Sequence, residues 1–191
     1  MKTLICFLIY FHLFTISANE NIAEKITFGA KNQIGKTLYY DPSYVKIKYP
    51  NGDLPIDRGV CTDVVIRALR NASIDLQKLV HEDMRVNFKK YPNNWGLKKT
   101  DKNIDHRRVP NLMTYFKRKG WSKKVKKNIS SFKSGDIIAW RLSNGRLHIG
   151  IIAHKQKGQN PYPYVIHNIG NGVKLENQLF SFKIIGHYRV K

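Results

Sequence analysis

Asp136-Ile137-Ile138-Ala139-Trp140-Arg141-Leu142-Ser143-Asn144-Gly145-Arg146-Leu147-His148-Ile149-Gly150-Ile151-Ile152-Ala153-His154 decides the fold class. Two β-rich runs, 136–142 and 147–154, flank Asn144-Gly145, the dipeptide that favours a tight hairpin turn. Further β-rich runs follow at 164–169 and 180–190, with Gly, Asn and Pro between them. Upstream the period is helical. Cys61 to Ala72 places Cys61, Val64, Val65, Ala68, Leu69 and Ala72 on one stripe, with Asp63, Arg67 and Arg70 facing away. Helices are also expected over 21–36, 80–89 and 110–119, the last with Pro110 in its first turn and Gly120 after its end. Helices first and adjacent strands afterwards predict an α+β domain, with N-terminal helices packed on a C-terminal antiparallel β-sheet.

The chain has 191 residues, enough for one domain and short for two. Residues 1–18 are expected to be a secretory signal peptide. Lys2 supplies the positive end, Leu4 to Phe14 the apolar run, and cleavage is placed after Ala18. That run is shorter than the roughly 20 apolar residues of a membrane span. Residues 19–191 then form the single domain, exported to the periplasm or the medium. Cleavage would remove Cys6 and leave Cys61 as the one thiol, so an internal disulfide framework is excluded. A single thiol in an exported protein is either packing or chemistry. A Cys on the apolar stripe of a helix is often packing.

The chemical reading rests on position. Cys61 opens the best helix, where free backbone N–H groups favour a thiolate and can stabilise an oxyanion. On this reading the helix start and a nearby imidazolium lower the thiol pKa. His148 stands on the second β-run and His167, in Val165-Ile166-His167-Asn168, on the next, so a base and its orienter can share neighbouring strands.

The order of these elements resembles the NlpC-type cell-wall peptidases. A Cys-led helix is followed by Ser134-Gly135-Asp136-Ile137-Ile138-Ala139-Trp140, then His148-Ile149-Gly150-Ile151, then Val165-Ile166-His167. The resemblance implies a papain-like core and cleavage of amide bonds, in peptidoglycan or another peptide substrate, through a thioester acyl-enzyme. It implies Cys61 as nucleophile, His148 as base and His167 as orienter, with Asn168 as the alternative third residue. The chain departs from the pattern around the thiol, where Val60 precedes and Thr62-Asp63 follow, so specificity is not carried over. Several blocks also resemble a bacterial family of unknown function, the YijF-like proteins: Tyr40-Asp41-Pro42, Gly59-Val60-Cys61-Thr62-Asp63, Asn103-Ile104-Asp105-His106-Arg107-Arg108 and His187-Tyr188-Arg189.

Around this core, Tyr40 could line the cleft or pack its loop. Asp57 could shape substrate entry or pair with Arg58. Arg107 or Arg108 could clamp a substrate carboxylate. His81-Glu82-Asp83 and Asp105-His106 supply metal-ligand types without a metal-binding spacing, so no metal and no cofactor is expected. The formal charge is +21, and +20 without Lys2. Export and the absence of a nucleic-acid motif argue against nucleic acid and favour an anionic wall polymer or a membrane surface as the partner of that charge. A non-catalytic wall- or polyanion-binding module with a papain-like shell is the competing expectation.

Overall fold

The computed structural model describes residues 22–126, 128–153 and 162–191. The expected signal peptide and His154 lie outside them. Four α-helices are described: α1, residues 22–31; α2, Cys61–Asn71; α3, Leu76–Asn87; and α4, Val109–Arg118. A two-stranded parallel pair, β1 (Tyr39–Tyr40) and β2 (Arg58–Gly59), precedes α2. Five strands follow: β3 (Ile137–Arg141), β4 (Leu147–Ile152), β5 (Val165–Asn168), β6 (Val173–Glu176) and β7 (Lys183–Tyr188). All their pairings are antiparallel, in the order β6-β5-β4-β3-β7. The molecule is an α+β protein with its helices upstream of its sheet.

Alternation along the strands divides the sheet into two faces. Ile137, Ala139, Ile149, Ile151 and Ile166 join the main core with Cys61, Val64, Val65, Ala68 and Leu69 of α2. Ile138, Trp140, Ile152 and Val165 form a second cluster with Phe132 and Leu179 on the other side. Trp140 pairs with His148 across β3 and β4, and Ala139 pairs with Ile149, so His148 belongs to the Trp140 face. Gly150 lies on that face too: a Cβ there would come within 2.9 Å of the Ile166 carbonyl and 3.0 Å of the His167 Cβ. Close approach of β4 and β5 beside the two histidines therefore needs glycine.

Several bounds differ from those expected. The helical stripe ends at residue 31, and the chain then turns through 32–36. α3 begins at Leu76 rather than Val80, because the Asp75 carboxylate caps it by accepting the Gln77 N–H. The expected strand at 180–190 is shortened to β7, and an unexpected strand, β6, precedes it.

Two buried ion-pair clusters tie distant segments together. The Arg107 guanidinium holds the Asp63 carboxylate through two hydrogen bonds, 3.0 and 3.1 Å, and also donates to the carbonyls of Ser43 and Asp41. The Thr62 hydroxyl donates to the Arg107 carbonyl at 2.9 Å. At the far side of the sheet, Asp136 accepts from Arg189 at 2.6 and 2.7 Å and from the Lys133 N–H at 2.8 Å, with His187 Nε2 at 2.7 Å. Three of the YijF-like sequence blocks, around residues 41, 63 and 107, converge on the start of α2. The fourth, His187-Tyr188-Arg189, joins Asp136 just before β3.

Candidate active site

α2 begins at Cys61 because its preceding turn is locked from both directions. The Val60 N–H donates to the Asp63 carboxylate at 2.6 Å, and the Asp63 N–H donates back to the Val60 carbonyl at 3.0 Å. Gly59 leaves room for this: a Cβ there would meet the Asp63 side chain at 3.0 Å. Arg107 then neutralises Asp63 in a setting where an unpaired carboxylate would be costly. The thiol is thereby held at a rigid helix N-terminus.

Cys61 is 4 % exposed and packs on the helix side of the sheet. Burial pushes its thiol up to about 12. The backbone N–H groups of Ile149, Thr62 and Cys61 oppose that rise, and the nearby Asp63 charge adds to it. The sequence-based expectation of a lowered thiol pKa is corrected here, because burial outweighs the helix terminus.

His148 immediately precedes Ile149, which packs in the same core as Cys61. Its ring stacks on Trp140, with centroids 5.7 Å apart, and its Nε2 lies 2.7 Å from His167 Nδ1. Burial, then His167, pushes His148 down to about 3, so the ring is neutral at pH 7. His167 is also lowered by burial, against an opposing pull from Glu176. His167 Nε2 approaches the Glu176 carboxylate to 2.9 Å, although it lacks the alignment of a good hydrogen bond. Neutral thiol and neutral imidazole therefore stand on opposite sides of β4, one residue apart along the strand. No hydrogen bond joins them among the described residues.

His148 also borders an open groove of about 560 Å³ with Tyr40, Arg146, Leu147, Ile169, Gly170 and Phe182. Tyr40 reaches this groove because β1 is tied to β2, directly before the thiol. Burial, then the neighbouring Cys61, raises the Tyr40 hydroxyl to about 12, with Arg146 opposing. Phenol and guanidinium thus both line the groove, with the buried thiol behind it.

The other residues singled out from sequence lie elsewhere. Asn168 donates to the carbonyls of Gly59 and Tyr39, at 2.9 and 3.3 Å, and accepts the Gly170 N–H. It fastens β5 to the loop before α2 and makes no contact with His148. Arg107 is fully engaged by Asp63, Asp41 and Ser43, which leaves no free edge for a substrate carboxylate. Arg108 pairs with Asp105 at 3.4 Å and stacks on Trp95 at 3.9 Å, away from the His148 groove. Asp57 pairs with Arg58 at 3.1 and 3.2 Å and does not line the groove. Among the described residues no group of three or more His, Cys, Asp or Glu side chains could hold a metal ion.

Two groups at the site were missed from sequence. Glu176 sits on β6, whose signal was present: Asn171-Gly172 separates Val165-Ile166-His167-Asn168 from the alternating Val173-Lys174-Leu175-Glu176. Arg146 follows the Asn144-Gly145 turn and carried no signal beyond its charge.

Fold and site together define an α+β protein that carries a helix-borne thiol and a histidine pair on opposite faces of one strand of an antiparallel sheet. The chain belongs to the family described as "Domain of unknown function (DUF1287)", whose model matches residues 27–190. It is 55% identical over 174 residues to the "Uncharacterized protein YijF" of Escherichia coli (strain K12), across 91% of this chain and 83% of that relative. Among solved structures it is similar to NlpC1 from Trichomonas vaginalis, at a TM-score of 0.43 and 14% identity. That match covers 86% of this chain and less than half, 43%, of the other.

Proposed function

We propose that the protein is an exported cysteine hydrolase that cleaves amide bonds, with peptidoglycan peptides as its substrates. The observation that carries this reading is that Cys61 opens α2 and packs in one core with Ile149, the residue after an imidazole already bonded to a second histidine. The resting pair is neutral, so the chemistry begins with proton transfer from sulfur to His148. Sulfur and imidazole lie on opposite faces of β4, so the reaction requires substrate binding to shift the backbone at residues 148–149 and bring them into direct contact. The thiolate then attacks the amide carbonyl carbon, and His148 returns the proton to the nitrogen as the C–N bond breaks. Water attacks the thioester, giving its hydroxyl to the acyl carbon and a proton, through His148, to the departing sulfur. Arg146 offers a cation to a substrate carboxylate at the groove, the part that Arg107 and Arg108 do not play.

The test is incubation of the protein and of Cys61→Ser with purified peptidoglycan and defined muropeptides, followed by mass analysis of the products. Product from wild type alone supports the reading; equal product from both removes Cys61 from the mechanism. The separation of thiol and imidazole favours a second reading, a wall- or polyanion-binding module without catalysis. On that reading neither protein gives product, and binding to anionic wall polymer weakens as salt rises.

A further inference from the structure

We infer that Glu176 sets the tautomer of His148 by acting through His167, which makes it a fourth member of the site and a positioning residue. The inference rests on the hydrolase reading for its purpose, but its geometry stands alone. β5 and β6 pair Val165 with Glu176 and His167 with Lys174, so Glu176 is the diagonal neighbour of His167 on the Trp140 face. Its carboxylate oxygen lies 2.9 Å from His167 Nε2, off the line of a good hydrogen bond but close enough for its charge to act, and His167 Nδ1 lies 2.7 Å from His148 Nε2.

These two distances and the donor rules leave one arrangement of ring protons. A carboxylate only accepts, so His167 must carry its proton on Nε2 to face it. The Nδ1 of a neutral His167 is then an acceptor, and His148 must carry its proton on Nε2 to donate to it. The lone pair of a neutral His148 is left on Nδ1, for which no hydrogen-bond partner stands among the described residues. The opposite order would turn the His167 Nε2 lone pair toward an anion 2.9 Å away, a repulsive contact. Burial of both rings keeps them neutral and the choice of tautomer consequential. A base needs its free nitrogen on the side of the proton it takes, so the charge of Glu176 is relayed two rings away as an orientation rather than as a proton.

The experiment is nitrogen-15 NMR of the histidine rings in the whole protein near pH 7, with Glu176→Ala and Glu176→Gln alongside wild type. In wild type, both His148 and His167 are expected to be protonated on Nε2. Glu176→Ala should spread His148 over both tautomers. Glu176→Gln keeps a carbonyl acceptor and should restore the wild-type pattern. With a muropeptide substrate, kcat of the alanine variant should fall about ten- to a hundredfold with KM unmoved, the usual scale for loss of a group that orients a functional imidazole. A wild-type His148 protonated on Nδ1 overturns the inference without any variant, and so does an alanine variant with unchanged tautomers. Absence of turnover in wild type, together with the expected tautomer pattern, sinks the hydrolase reading and leaves the relay standing.

Discussion

Strand β4 has two faces with opposite chemistry. Ile149 and Ile151 are buried against α2 and do nothing but exclude water, whereas His148 and Gly150 face Trp140 and the His167 ring. The thiol belongs to the first face and the imidazoles to the second. The helix side supplies rigidity and a neutral sulfur; the Trp140 side supplies the imidazoles to which the proposed chemistry assigns the protons. A site made this way is assembled across a strand rather than within a pocket.

The comparison is broken most decisively at the sulfur. Cys61→Ser should lower turnover by about a thousandfold or more, the scale for removing a nucleophile, while circular dichroism stays as in wild type. A fold-neutral variant of equal activity would show that the helix face carries no chemistry at all.

The rigidity of that face can be tested through its ion pair. Asp63→Ala leaves Arg107 buried without its carboxylate, 3 % exposed, and should cost about 3–5 kcal/mol of stability in urea unfolding. The same loss should free the start of α2, so alkylation of Cys61 by iodoacetamide should become faster as burial fails. Unchanged alkylation in a destabilised variant would mean that the thiol is shielded by the sheet alone.

Acid should act chiefly through histidines. His148 and His106 both fall to about 3 through burial, against an ordinary value of 6.5. Unfolded chains therefore bind protons below about pH 6.5 that the folded protein refuses until near pH 3. Stability is full above that window and declines across it, by up to about 1.4 kcal/mol per pH unit for each ring. Asp105, raised from 3.8 to about 6 by burial, works the other way within its narrower interval and offsets roughly one ring there. Urea midpoints at pH 7 and pH 5 should differ, and His106→Gln should reduce the difference. A midpoint that rises on acidification would contradict the burial of these rings.

The smallest effect is expected at the groove. Arg146→Ala should raise KM for a carboxylate-bearing muropeptide about tenfold and leave kcat alone, as loss of a bidentate contact does. An amidated substrate should not discriminate between wild type and variant.

Much of the helix face was legible in the sequence. The stripe from Cys61 to Ala72 is periodic, and burial against a sheet follows from period alone. Asn144-Gly145 announced the hairpin that presents His148. The Trp140 face was harder to read because its order comes from pairings across strands. Asn168 and His167 are adjacent in sequence, and only the register shows that His167 meets His148 while Asn168 reaches back to Gly59. β1 and β2 have two residues each, too few for any alternation to show. Arg107 and Arg108 look equivalent as charges, yet one is buried on Asp63 and the other stacked on Trp95, which only long-range contacts decide. The thiol pKa was misjudged for a related reason: a helix start is visible in sequence, and the packing around it is not.

The sheet order carries a consequence for how the protein comes into being. β3 to β6 form a meander that can assemble by successive neighbouring hairpins as the chain emerges. β7 must then cross to the far edge, and with it arrive His187 and Arg189, the partners of the buried Asp136. Until then β3 keeps an open edge, and the Asp136 carboxylate at its root stays in water. The last strand brings burial and compensation together: the segment that covers Asp136 is the one that carries the histidine and arginine bonded to it, and the strand paired with that of His148 loses its free edge in the same step.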